Sequence, residues 1–229
     1  MPAYIGTRFP LLYAAPAAAA VQTYSNLTFR NTNNTTGVSQ TSVTYSTQTI
    51  GTAASDRYVI VAVYTDQGSG TISSVTVGGV SATAAHSSFV TALGVVGIYA
   101  ALVPTGTTAD IVINTSITAN GFHAAHWTVN MASGTAYDTA TNTQASGANA
   151  VSGLDIPANG FAVGFAVIDD GTSTYTINQS FTERSDGAVV TKSGGVADRE
   201  PGAGGFSGTV TWTWSVTTES SRAVMASWQ

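Results

Sequence analysis

Apolar and polar positions alternate with a period of two along much of this chain, and that pattern predicts strands. Ile72-Ser73-Ser74-Val75-Thr76-Val77 alternates, and so does Val210-Thr211-Trp212-Thr213-Trp214-Ser215-Val216. Such segments put one face in a core and the other in water. Residues 57–64 and 161–168 are instead apolar almost without a break, as interior strands covered on both faces are. Further strands are predicted at 95–103, 109–117, 122–131, 174–177, 181–184, 188–192 and 221–228. Turn signals separate them: residues 66–70, Pro104-Thr105-Gly106, and Gly78-Gly79, which closes a hairpin into residues 80–83. The polar segment 25–49 carries Asn31-Thr32-Asn33-Asn34-Thr35-Thr36-Gly37, which reads as a long turn, and residues 133–153 read as a Ser/Asn/Gly-rich connection. No window carries a helical period with caps.

The count is about ten to twelve strands at a spacing of roughly 8–12 residues, the signature of a sandwich or jelly roll. The expected fold is therefore all-β, an antiparallel two-sheet sandwich of jelly-roll type. The style of the first half recurs in the second. Residues 161–168 end in Asp169-Asp170-Gly171, much as residues 58–64 end near Asp66-Gln67-Gly68, so the halves are expected to contribute similarly.

The first 22 residues break the pattern. Arg8, the apolar stretch 9–15 and Ala17-Ala18-Ala19-Ala20 imitate a secretory signal, but Pro10 and Pro16 interrupt its apolar region. Residues 1–22 read as an extended N-terminal arm ahead of a β-sandwich domain at 23–229, with a lipid or targeting role as the alternative. Tyr4, Ile5, Phe9, Leu11, Leu12 and Tyr13 are its candidate assembly residues, because a Pro- and Ala-rich segment cannot bury such side chains by itself.

Composition narrows the function classes. Of 229 residues, 43% are hydrophobic, enough for a large core, and only 8% are charged. Thr makes up roughly one residue in six, against one Lys and three Glu. Thr favours strands, and its hydroxyl keeps a solvent face wet without charge. A net charge of -5 and a pI near 4.8 argue against nucleic-acid binding, which needs a basic stripe. No apolar stretch approaches the roughly 20 residues of a spanning helix, and no Cys is present to build a disulfide framework.

Candidate chemistry is thin, so no enzyme activity, cofactor or metal is expected. His123-Ala124-Ala125-His126 has the look of a metal pair, but positions i and i+3 of a strand point to opposite faces. With His86 these two read as satisfied or surface histidines. Asp169 and Asp170, with Glu183 or Asp186, could hold calcium, yet they lack the spaced carboxylates of a calcium loop and read as an acidic turn. Asp198-Arg199-Glu200-Pro201 reads as a solvated loop with an internal ion pair. No G-x-S-x-G is present, and the Gly pairs at 78, 194 and 204 open no helix that could cradle phosphate. Trp212 and Trp214 share a strand face whose opposite side is all Thr and Ser, so they read as core rather than as a sugar-stacking platform.

Tyr58-Val59-Ile60-Val61-Ala62-Val63, then Ile72 to Val80 with its Gly-Gly turn, then Ile98-Tyr99-Ala100 and Val103-Pro104-Thr105-Gly106-Thr107 resemble β-sandwich proteins of tailed-bacteriophage virions. Met1-Pro2-Ala3-Tyr4-Ile5-Gly6-Thr7 is similar to the start of small phage structural proteins. The resemblance implies a virion component on the outer surface of the particle, a capsid decoration protein, head fibre or tail appendage. Its partners would be the major capsid or other virion proteins, with self-association into a homo-oligomer. It carries over no site residues. The alternative expectation is a module of a tail fibre or appendage that binds a host surface glycan or receptor; nucleic acid and membrane are not expected partners.

Overall fold

The computed structural model describes residues 24–229. Its strands are β1 (Ser25–Thr49), β2 (Arg57–Asp66), β3 (Ile72–Val77), β4 (Val80–Ser81), β5 (Thr83–Val90), β6 (Gly94–Leu102), β7 (Thr108–Asn130) and β8 (Asp138–Gln144). They continue with β9 (Asn149–Ile156), β10 (Phe161–Ile168), β11 (Tyr175–Ile177), β12 (Thr182–Val189), β13 (Lys192–Arg199), β14 (Phe206–Trp214) and β15 (Ser221–Trp228). All pairings are antiparallel, and one 3₁₀ turn lies at Gly202–Gly204. The all-β sandwich expected from the alternation is the observed fold.

Strand pairing shows that the sandwich is built twice. In the first half β2 lies between β6 and β7, β3 also pairs with β7, and β1 runs along the whole of β7. In the second half β10 lies between β13 and β15, while β8 pairs with β15 and β9 with β14. The β14–β15 pair thus repeats the course of β7, and β8–β9 repeats that of β1. The first sheet runs β4-β3-β7-β2-β6-β5, and β4 leads directly into β5, so its two ends meet and it nearly closes.

The two central strands explain the cores. On β2, Val59, Val61 and Val63 enter a core enclosed by the first half, and Ile60, Ala62 and Tyr64 enter a second core. On β10, Val163, Phe165 and Val167 meet them in that same second core, while Ala162, Ala166 and Ile168 enter a third. The second core is the seam where the halves face each other, with Trp127, Phe161 and Trp228 among its fully buried rings. Each fully buried large side chain there contributes roughly 1.5–3 kcal/mol before ordering costs. The expectation that both strands are covered on two faces holds.

Gly78 and Gly79, at φ 58° and 80°, form the two-residue turn between β3 and β4, a conformation that side chains resist. Gly194 and Gly195 lie inside β13. A Cβ on Gly195 would sit 2.2 Å from the Tyr175 ring, and one on Gly194 would sit 3.0 Å from Phe165, so these glycines let aromatic rings lie against the strand.

Three segments differ from their expected form. Residues 31–37 are not a turn. They belong to β1, whose register slips between Thr36 and Gln40 beside Gly37 at φ 66°, so the turn-forming residues bend a strand that β7 holds in place. The Asn side chains are satisfied sideways: Asn33 donates to Gln48 Oε1 at 2.9 Å. Residues 133–153 contain β8 and the start of β9, because Ala140, Val151 and Leu154 reach a core that the intervening polar residues conceal. Residues 188–192 are a hairpin corner rather than a strand, with Val189 paired to Lys192.

Candidate functional site

The polar groups buried along the seam are the molecule's most concentrated chemistry. Lys192 opens β13 and is buried, with Nζ 3.3 Å from Asp66 Oδ1 and 3.4 Å from Asp169 Oδ1. Asp66 is the last residue of β2 and Asp169 immediately follows β10, so one ammonium bridges the ends of the two central strands. Tyr64 places its hydroxyl 3.4 Å from Asp66 Oδ1. Farther along the seam, buried Asp198 accepts from Trp127 Nε1 at 2.5 Å and from Arg184 Nε and an Arg184 terminal nitrogen at 2.7 and 2.8 Å. Trp127 belongs to the first half and Asp198 to the second. The solvated loop expected at 198–201 is thus confined to exposed Glu200 and half-buried Pro201, and Asp198 pairs with Arg184 rather than within the segment. Asp198 ends inside the core because β13 runs to Arg199, and Arg199 instead stacks on Phe206 with its guanidinium carbon 4.3 Å from the ring centre.

His123 and His126 are buried, and His86 is half-buried. His123 and His126 do point to opposite faces of β7. His123 meets Phe165 edge-on at 5.1 Å in the seam, and His126 Nε2 lies 3.0 Å from the Thr49 carbonyl on the other side. They cannot share a metal. His123 is not satisfied, however, since neither ring nitrogen has a hydrogen-bond partner among the described residues, and burial pushes its pKa down to about 4. Burial also lowers those of His126 and His86.

The acidic turn is occupied by its own neighbours. Asp170 accepts from Ser173 Oγ at 2.9 Å and from the Thr172 amide and hydroxyl at 3.0 Å each, and these bonds, Ser173 foremost, lower its pKa. Asp169 turns to Lys192. Among the described residues, no group of three or more His, Cys, Asp or Glu converges to hold a metal ion. Trp212 and Trp214 are buried against Tyr175 in the third core, with ring centres 5.0 and 5.6 Å away, as the Thr/Ser face predicts.

The surface carries a shallow groove along the edge between β4–β5 and residues 133–139. One part, of about 280 Å³, is lined by Tyr58, Ser81, Thr83 and Leu102, and the adjoining part, of about 340 Å³, by Thr83, Tyr137, Asp138 and Thr139. Tyr137 is 55% exposed. A polar hollow beside Arg30 and Arg57 is structural. Buried Arg57 spends its donors on the carbonyls of Gly51, Val103, Thr105 and Gly106, which pins the turn after β6.

Tyr4, Ile5, Phe9, Leu11, Leu12 and Tyr13, the candidate assembly residues, lie outside the described residues. The first described residue, Tyr24, packs on Phe161 with ring centres 4.7 Å apart, so the chain enters at the base of the seam. Lys192 was the residue that sequence reasoning missed. Its signal was slight: the only lysine of the chain, opening an apolar strand, with acidic residues at the matching ends of the two apolar runs. Searches of protein-family models, curated proteins and solved structures find no match to this chain.

Proposed function

We propose that this protein is a structural, non-enzymatic component of a tailed-bacteriophage virion, displayed on the particle surface as a capsid decoration protein or head fibre. The N-terminal arm attaches it to capsid or neighbouring virion proteins, and the doubled sandwich is the exposed body. One observation carries this reading. Buried Lys192 pairs with Asp66 across the seam and with Asp169 of its own half, and buried Asp198 pairs with Arg184, so these charges bind one another instead of converging on a cleft and serve rigidity. The hydroxyl-rich, weakly charged exterior and the sequence resemblance support it further.

The test compares the full chain with a variant lacking residues 1–20. The truncated protein is expected to keep the melting curve of a folded sandwich and to be missing from purified particles. Normal incorporation of the truncation would refute the role of the arm, and absence of the full chain from particles would refute the virion assignment.

The exposed ring of Tyr137, beside the Thr83 and Thr139 hydroxyls of the groove, favours a second reading as a binder of host surface glycans. A glycan array separates the two.

A further inference from the structure

Lys192 is the single lysine of the chain, and it sits where an amine meets a carboxyl group away from water. Its side chain is 9% exposed and that of Asp66 is 13% exposed, with Nζ 3.3 Å from Oδ1. A second carboxylate, Asp169, lies 3.4 Å from the same nitrogen and is 35% exposed. The three are fixed by backbone. Asp66 pairs with Gly121 at the end of β2, Lys192 is held by the β12–β13 hairpin, and the Asp169 amide donates to the Ser220 carbonyl at 2.9 Å. Amine and carboxyl groups held in contact behave as if at very high concentration, and burial disfavours leaving them as separate ions.

From this geometry we propose that Lys192 and Asp66 condense to an intramolecular isopeptide bond, with Asp169 as the proton relay. The ammonium first passes one proton to Asp66, leaving a neutral amine beside a neutral carboxyl group. Nζ then attacks Cγ of Asp66, forming the Nζ–Cγ bond. Asp169 takes a proton from the nitrogen and delivers it to the departing hydroxyl, the Cγ–O bond breaks, and water leaves. The atoms balance with no oxidant, reductant or external reagent. The Tyr64 hydroxyl donates to the Asp66 oxygen on which negative charge builds during attack. Asp66 is the electrophile because it is the more buried carboxylate and has that donor. Asp169 is the relay because it opens toward the solvent that receives the water. The product joins β2 of the first half to β13 of the second, a covalent staple across the seam.

Intact mass spectrometry of the full chain reads the reaction directly. The folded protein is expected to be one water lighter than its sequence, and a protease digest to contain a branched peptide joining the segments around Asp66 and Lys192. Lys192→Arg and Asp66→Ala are expected to carry the full mass. Asp169→Ala is expected to form the bond roughly a hundredfold more slowly after refolding. A folded wild-type chain of full mass overturns the proposal. So does a water loss without the branched peptide, which would come from succinimide at Asp170-Gly171 or Asp186-Gly187. Bond formation at the wild-type rate in Asp169→Ala overturns the relay.

Discussion

Mild acid should weaken this fold through one side chain. His123 projects from β7 into the seam, 2% exposed, between Phe165 and the bare backbone of Gly194, and its nitrogens meet no partner among the described residues. Its cross-strand neighbour is Tyr64, whose hydroxyl meets Asp66, and Asp66 in turn pairs with Lys192. Burial lowers the imidazole pKa from 6.5 to about 4. Above the higher value the ring is neutral in both folded and unfolded chains, so the shift leaves stability untouched. As pH falls toward the lower value, the unfolded chain binds a proton that the folded chain refuses, and each pH unit costs about 1.4 kcal/mol. Between pH 7 and pH 5 the loss is about 2 kcal/mol, which for a chain of this size lowers Tm by roughly 4–8 °C. Urea unfolding at pH 7, 6 and 5 measures it in the wild type and in His123→Leu. The difference between their pH profiles isolates this ring from His86 and His126, whose pKa values are depressed as well. The variant should lose the His123 share, about 2 kcal/mol between pH 7 and pH 5, and keep what His86 and His126 contribute. Parallel profiles for the two proteins would show that His123 takes up its proton in the folded state, and the reasoning from burial would fail.

Trp212 is fully buried against Tyr175, so Trp212→Ala should cost about 3–5 kcal/mol in denaturant unfolding, whereas a near-neutral result would place the ring outside the core. Gly195→Ala should cost about 1–3 kcal/mol, because the new methyl group would overlap a Tyr175 ring held by its hydroxyl bond to the Val196 carbonyl at 2.5 Å. Gly187→Ala, with nothing within 4 Å of the added carbon, serves as the control and should stay within about 0.5 kcal/mol of wild type.

The fold class was legible because period-two alternation reports directly on which face of a strand is wet. The same logic placed Trp212 and Trp214 in a core and set His123 and His126 on opposite faces of β7. It failed where the ladder partner outweighs local preference. Asn31 to Gly37 look like a turn to any propensity scale, yet β7 pairs them into β1 and only Gly37 keeps its left-handed backbone. It failed again at Asp198, a charged residue whose partners are supplied by Trp127 of the other half and by Arg184 of the neighbouring strand. The Lys192 bridge was hidden for the same reason. Its partners are 126 and 23 positions away, at strand ends that only the packing of two halves brings together.

Doubling of the topology without a visible repeat in sequence has a physical cause in the seam. Two like faces packed against each other would place large residues against large and small against small, leaving clashes and voids. This seam is filled by unlike residues at matching positions. Beside Ile60 of β2 stand Ala100 and Trp127, and beside the corresponding Val163 of β10 stand Asp198 and Ala226. Trp127 thus reaches across to Asp198, a small residue being kept at each of the other two positions. At the far end Tyr64 is flanked by His123, and Val167 by Arg222. The two acidic strand ends are the feature kept alike, and a lone lysine from one half joins them. Complementarity across the seam therefore requires unlike residues where the halves touch, while hydrogen-bonded strand order, which depends little on side-chain identity, can be the same in both.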